Sequence, residues 1–114
     1  MPFLFSYGTL QQREVQQATY GRLLMGTRDA LAGYRLEALT ISDPEVVRSS
    51  GKAVHMIARH TGGPHDRIDG TCFHLTDQEL AMTDTYEVAD YSRAEVELES
   101  GQRAFVYIGQ PVRR

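Results

Sequence analysis

The sequence has only one cysteine, Cys72, and no excess of positive charge. A single cysteine cannot form an internal disulfide and suits a reducing compartment, so we expect a cytoplasmic protein. The net charge is −3 and the lysines and arginines form no block, which argues against nucleic acid or an anionic membrane as a partner. No apolar run approaches the length of a membrane span, and no signal-peptide pattern opens the chain.

The motifs of several large enzyme classes are also missing. The four histidines, His55, His60, His65 and His74, do not fall at metal-site spacings, and there is no His-Glu-x-x-His or paired-cysteine motif. No Gly-x-Ser-x-Gly elbow, Walker loop or dinucleotide fingerprint occurs. We therefore expect neither a metal nor a cofactor, and we expect Cys72 to be buried packing rather than a nucleophile.

What the sequence does contain is the pattern of one α+β domain over residues 1–114. An apolar fraction of 41% in 114 residues supports a single core. About six strands are predicted, the first beginning at Phe3 and the others over 31–39, 53–58, 68–75, 91–99 and 103–108. The last strand is apolar on both faces and is predicted to be central. Without a regular βαβ alternation, we expect a mixed, mostly antiparallel and curved sheet.

Two helices are predicted, each from its capping pattern. Thr9 followed by Gln12 suggests a first helix start, leading into a surface helix to about Tyr20 with Val15 and Ala18 as its apolar contacts. The second start is better defined. Thr76-Asp77-Gln78-Glu79 is a capping box and Leu75 with Leu80 forms a hydrophobic staple, so this helix should run from Asp77 to about Tyr86 or Glu87.

The loop between the first strand and the first helix is a candidate anion site. Gly8 allows close approach of a ligand to the backbone, and the N–H groups at a helix start favour negative charge. The alternative is a plain connection in which the glycine only makes the turn, and the physics alone favours that alternative.

Glu87 is the candidate acid or base. Leu80 and Thr83 share its helical face at spacings of seven and four, so Glu87 points inward if that face packs on the sheet. Desolvation and the negative end of the helix dipole would then raise its pKa toward the range of a general base. Alternatively, the helix has already ended and Glu87 is solvated.

Two further side chains could converge on Glu87 or be structural. Tyr91 and Arg93 follow it at four and six residues, on one face of the next strand, but an aromatic and a charge on a solvated face is the commoner case. Tyr107, like Tyr7, lies in an apolar stretch, where a tyrosine is more often a core residue with a satisfied hydroxyl.

Taken together, these segments resemble the γ-glutamylcyclotransferase-like family, which includes γ-glutamylamine cyclotransferases and avirulence-induced relatives. The resemblance covers the whole chain in order and rests on five stretches: Phe5–Leu10 with its Tyr-Gly-Thr-Leu, Leu31–Leu36, Ile68–Leu75, Asp84–Glu87 followed by Tyr91–Arg93, and Ala104–Tyr107.

The resemblance implies a small β-barrel-like α+β fold with its active site in a cavity at the barrel mouth. It implies a cofactor-free reaction on a small γ-glutamyl substrate, in which the α-amine attacks the γ-carbonyl and releases 5-oxoproline and an amine or amino acid. By position, Glu87 is the acid/base and the loop Tyr7, Gly8, Thr9 and Leu10 holds the glutamyl end. Tyr91, Arg93 and Tyr107 are the further substrate-binding candidates.

Some positions depart from the family pattern. Val88 stands where glycine is usual, Thr83 where leucine is usual, and the first helix lacks an asparagine often found there. These departures motivate an alternative, a non-catalytic binding or regulatory domain that keeps the pocket. The sequence leaves open which amine leaves, and whether the protein is a monomer or a homodimer joined through an exposed strand edge.

Overall fold

The structure is a computed structural model that describes residues 2–40, 54–86 and 91–109. Its strands are β1 (Phe3–Ser6), β2 (Met25–Ala32), β3 (Tyr34–Thr40), β4 (Val54–His60), β5 (Arg67–His74), β6 (Tyr91–Glu97) and β7 (Arg103–Gly109). The helices are α1 (Arg13–Tyr20) and α2 (Asp77–Tyr86), and a single 3-10 turn covers Thr9–Gln11. Within these ranges, no helix combines the length and the apolar character needed to cross a membrane.

The strands form one mixed sheet of seven strands in the order β2-β5-β1-β7-β4-β3, with β6 outside this order and paired with β7. β6 pairs along one whole edge of β7, and β1 and β4 meet the opposite edge at Phe105 and Ile108. The pairs of β7 with β1 and β4 are parallel, and the remaining pairs are antiparallel. Among the described strands, the two ends of this order do not pair with each other, so the sheet is not closed. The predicted α+β class, the mostly antiparallel sheet and the central position of β7 are confirmed.

One predicted strand is in fact two. Gly33 interrupts the stretch 31–39 with a φ of +79°, a left-handed conformation that glycine adopts at no steric cost. Its N–H donates to the carbonyl of Asp66, and its own carbonyl accepts from the N–H groups of Thr61 and Gly62. The chain therefore turns at Gly33 from β2 into β3. The sequence does not predict β2, because its residues show no alternation of apolar and polar side chains. The first four residues of the strand are exposed.

The core has two parts. The first contains Phe5, Leu31, Ala58, Ile68, Cys72, Leu98, Ala104 and Val106. The second contains Leu4, Leu10, Phe73, Leu75, Leu80 and Tyr107. Neighbouring residues of a strand point to opposite faces, so Leu4 and Phe5 of β1 supply one part each. Full burial of such side chains is worth about 1.5–3 kcal/mol each. The predicted burial of Cys72 is confirmed, at 7% exposed.

The second helix begins as predicted. The N–H of Glu79 donates to Thr76 Oγ1 at 3.0 Å, and the N–H of Thr76 donates to Glu79 Oε1 at 2.9 Å. This is a complete capping box. Leu75 and Leu80 are both buried in the second part of the core, as a hydrophobic staple requires. The helix is described as far as Tyr86, and residues 87–90 lie outside the described ranges, so its predicted end stays a prediction.

The start of the first helix was predicted wrongly. Thr9 opens only the 3-10 turn, Gly8 is the cap position, and no side chain caps it. Gln12 is extended, with φ −80° and ψ 137°, so the chain leaves the helical conformation there and α1 begins at Arg13. Ala18 is exposed, so it was also wrong as an apolar contact.

Candidate functional site

The loop after β1 leaves the backbone at Gly8 accessible. Gly8 has φ −133° and ψ −142°, and a Cβ built there meets no atom of the described chain within 4 Å. Its N–H points to Ser6 Oγ at 3.5 Å, the outer limit of a hydrogen bond. The loop is anchored two residues after Gly8, because Leu10 is 3% exposed and belongs to the core. A ligand can therefore approach the main chain at a point that is anchored on the following residues.

A second set of contacts braces this loop from β5. Gln11 Nε2 donates to the carbonyl of Gly8 at 3.3 Å, and Thr71 Oγ1 donates to Gln11 Oε1 at 2.9 Å. Gly70 allows β5 to come this close, since a Cβ there would collide with the carbonyl oxygen of Ser6 and the ring of Phe5. The loop is thus held by side chains rather than by a long helix, and the single 3-10 turn offers less dipole than the helix start that was predicted.

The hydroxyl of Tyr7 lies where two strands meet the same edge of β7. β1 pairs with β7 at Phe105, and β4 pairs with it at Ile108. Between these points, the Tyr7 hydroxyl donates to the carbonyl of Tyr107 at 2.6 Å and accepts the N–H of Ala58 at 3.0 Å. Tyr7 therefore replaces the direct strand-to-strand hydrogen bonds at this junction.

Asp84 joins the last turns of α2 to β6 and β7. Its Oδ1 accepts from the hydroxyl of Tyr107 at 2.6 Å, and its Oδ2 accepts from Arg93 Nη1 at 2.9 Å. Arg93 and Tyr107 are directly opposite each other in the β6–β7 ladder. The Arg93 guanidinium also lies 5.0 Å from the centre of the Phe105 ring, a cation–π contact. One carboxylate thereby fixes the last described turn of α2 against two strands.

The structure brings together some of the predicted site residues and leaves others aside. Through hydrogen bonds, Tyr7 is linked to Tyr107, and Tyr107 and Arg93 to Asp84. Glu87 lies outside the described residues, as does the side chain of Tyr91, whose backbone pairs with Gly109. The role of Glu87 stays a prediction.

The helix face that should lead to Glu87 is described, and it is buried. Leu80 is 7% exposed and Thr83 is fully buried. Thr83 occupies the position where the family pattern has leucine, and its hydroxyl donates to the carbonyl of Glu79 and shares a hydrogen bond of 2.5 Å with that of Tyr20. The polar residue is satisfied inside the core, so this departure has a structural explanation.

Two residues that organise the site were missed by sequence reasoning. Asp84 was noted only as part of a motif, and the clue to its role was its place ahead of Glu87 with Arg93 nearby in sequence. Gln16 is 4% exposed, and its amide bridges the carbonyl of Leu10 and the N–H of Leu24. No sequence signal marks it, because both partners are backbone groups.

Cys72 is a poor nucleophile. Burial, together with the nearby charge of Asp29, raises the pKa of its thiol to about 11, so the thiol keeps its proton at neutral pH. Over the described ranges, no three His, Cys, Asp or Glu side chains are grouped as metal ligands would be.

Comparison with known proteins adds a family and a fold. A family model described as gamma-glutamyl cyclotransferase, AIG2-like, matches residues 4–114. No curated protein sequence matches the chain.

Three solved structures share the fold. A protein from Arabidopsis thaliana, solved in solution, has a TM-score of 0.69 at 19% identity over 95% of this chain. An uncharacterized protein from Homo sapiens has a TM-score of 0.71 at 15% identity over 96%. An uncharacterized protein from Pyrococcus horikoshii has a TM-score of 0.66 at 17% identity over 100% of this chain, which covers 82% of that protein. The chain spans only 61% of the Arabidopsis protein and 66% of the human one.

Proposed function

We propose that this chain, which belongs to the AIG2-like gamma-glutamyl cyclotransferase family, converts a γ-glutamyl amine or γ-glutamyl amino acid into 5-oxoproline and the free amine. The observation that carries the proposal is the family match over residues 4–114, which includes both the loop after β1 and the segment that follows α2. The accessible backbone at Gly8 supports it from the structure.

The proposed reaction is an acyl transfer within one molecule. The α-nitrogen of the glutamyl group forms a bond to the carbon of its own γ-carbonyl, and the bond from that carbon to the leaving nitrogen breaks. The α-ammonium loses two protons as it becomes the ring N–H, and both end on the leaving nitrogen, which departs as an ammonium ion. Nothing is oxidised or reduced. Holding the two ends of the glutamyl chain together can supply roughly 7–11 kcal/mol in well-oriented cases.

The residues divide the work in this proposal. The loop from Tyr7 to Leu10 binds the glutamyl end, with the main chain at Gly8 as its accessible part. Glu87 takes the proton from the α-ammonium and returns one to the leaving nitrogen, a type of help worth about 10²–10⁴-fold. Asp84 is a positioning residue, since its bonds to Tyr107 and Arg93 hold α2 three residues before Glu87.

The test is a 5-oxoproline release assay on a panel of γ-glutamyl amines, γ-glutamyl amino acids and glutathione. We expect release from at least one compound, with an equal amount of free amine, and a loss of about 10²–10⁴-fold in kcat for Glu87→Gln, as expected when an acid–base group is removed. Glu97→Gln is the matched control, because Glu97 is an exposed residue of β6, and it should keep full activity.

Three results would contradict the proposal. Full activity in Glu87→Gln would remove Glu87 from the mechanism. Free glutamate as the product would indicate hydrolysis instead of cyclisation. Saturable binding of γ-glutamyl compounds without turnover of any of them would favour the alternative, a binding or regulatory domain.

A further inference from the structure

β3 is an edge strand with one side uncovered in the described structure. It is last in the strand order and, among the described strands, pairs with β4 alone. No described hydrogen bond reaches the outer backbone groups of its residues 34–40. Such an edge presents unpaired N–H and C=O groups and is a template for another strand.

The charges on β3 are unbalanced within one chain. Arg35 lies directly opposite Arg59 in the β3–β4 ladder, and like charges in that position repel. Arg59 donates to Glu37 at 2.7 Å, which is its diagonal neighbour. Arg35 makes no ion pair with any described residue. The Glu37 side chain is 42% exposed and can accept further hydrogen bonds.

An apolar side chain ends the core at the same edge. Leu36 is opposite Ala58 in the ladder, so the two side chains share a face of the sheet. Ala58 is fully buried, whereas Leu36 is 37% exposed and is among the large apolar side chains left open to solvent. The row of core residues therefore reaches Leu36, and no described strand lies on its outer side.

We propose that two copies of this chain pair through β3, antiparallel, about a two-fold axis at Leu36. This register puts Leu36 against Leu36 of the second copy and Arg35 against Glu37 of the second copy. Each Arg35 gains a carboxylate and each Leu36 gains an apolar neighbour. Directly opposite residues in an antiparallel pair of strands alternate between hydrogen-bonded and non-hydrogen-bonded pairs. Because the two-fold axis passes through the Leu36 pair, the facing residues are the same whichever kind of pair Leu36 forms.

The other edges of the sheet fit a second copy less well. On β6, Arg93 is already paired with Asp84 and Glu95 with Arg103. On β2, the N–H of Glu99 donates to the carbonyl of Ala30, so the β6–β7 turn already contacts that strand. On β3, by contrast, no described contact occupies the outer edge, and a second copy supplies a countercharge to Arg35.

The first test is a pair of charge reversals read by sedimentation over a concentration series. Arg35→Glu and Glu37→Arg each place like charges across the axis, and each should weaken self-association about ten-fold or more. Arg35→Glu should stay folded, because its new carboxylate faces Arg59. Mixing the two variants should restore dimers, since every pair across the axis then joins opposite charges. Glu97→Arg, on exposed β6, should associate like the unchanged chain.

The second test is cross-linking at the axis. In Leu36→Cys the two new thiols lie opposite each other, at a Cα separation within reach of a disulfide. Met82→Cys is the matched control, because Met82 is 38% exposed on α2, almost the same as Leu36. Cys72 is buried with a raised thiol pKa and should not interfere. We expect oxidation to link Leu36→Cys at least about ten-fold faster than Met82→Cys.

Three outcomes would overturn the proposal. These are a monomer at every concentration, equal cross-linking of the two cysteine variants, and dimers that persist in Arg35→Glu. The proposal does not depend on catalysis, so it stands or falls separately from the proposed reaction.

Discussion

Among single residues, Tyr7 is the one whose surroundings decide between two interpretations of the sequence. The resemblance places it in a substrate loop, whereas its apolar context suggests a core tyrosine. Its hydroxyl bonds to the carbonyl of Tyr107 and the N–H of Ala58, which are groups of the sheet. The hydroxyl thus has a structural partner on each side, as the interpretation as a core tyrosine predicts.

Tyr7→Phe should destabilise the protein. It leaves the N–H of Ala58, a fully buried residue, without its acceptor, and an unsatisfied buried group costs about 1–3 kcal/mol. Urea unfolding measures this difference. The control is Tyr34→Phe, because the Tyr34 hydroxyl makes no hydrogen bond with a described residue and its removal should cost much less. Equal destabilisation by the two changes would contradict the assigned role.

The residue-level contacts at the site were the least predictable part of the structure. Asp84 bonds to Tyr107, which is 23 residues away, and Tyr7 bonds to Ala58, which is 51 residues away. Local patterns report on neighbours along a helix or strand, but such pairs depend on how the strands are ordered. The resemblance supplied the motif that contains Asp84 without indicating its partners.

Among the elements, α2 was predictable because its signals are local. The capping box and the staple lie within six residues, and all of their partners are found as expected. The predicted start of α1 was wrong because non-local packing decides the chain path there. Thr9 and Gln12 have the right spacing, but the chain there follows the fixed positions of Leu10 and Gln16, which tertiary packing decides.

The start of α2 should give the protein a specific sensitivity to acid. Hydrogen bonds from Arg22 lower the pKa of Glu79 to about 2, against an opposing effect of burial. A carboxylate with a lowered folded-state pKa adds stability above its unfolded pKa of about 4.5, and that stability is lost as the pH falls from about 5 toward 2.

Glu79→Gln tests this directly. Compared by urea unfolding, the wild-type chain should be more stable than the variant at pH 7, and the difference should shrink as the pH approaches the folded-state pKa. A difference that stays constant between neutral and acid pH would contradict the lowered pKa.

β2 shows why an element can escape prediction altogether. Its eight residues pair along their whole length with β5, yet its first half is exposed and the sequence carries no alternation. Pairing with a distant strand, rather than any local preference, makes it a strand. Gly33 then separates it from β3, and only the turn geometry reveals that the apolar stretch is divided.

For the whole molecule, the order of the strands is what assembles the candidate site. β7 pairs with β1, β4 and β6, so the loop after β1 and the end of α2 meet around one strand. The class, the mixed sheet and the presence of both helices were predictable from the sequence, and the three solved structures share this fold. The parallel pairs with β7 were not, because each joins segments far apart in the chain.

The central claim is that the substrate attacks itself, and following its α-nitrogen tests that claim most directly. Each γ-glutamyl compound of the panel is labelled with nitrogen-15 at the α-amine and carbon-13 at the carbon of the γ-carbonyl group, incubated with the protein and followed by NMR. We predict a new direct coupling between the two labels, which arises when they are bonded in the ring of 5-oxoproline. Labelled glutamate, or substrate that stays intact, would contradict the account.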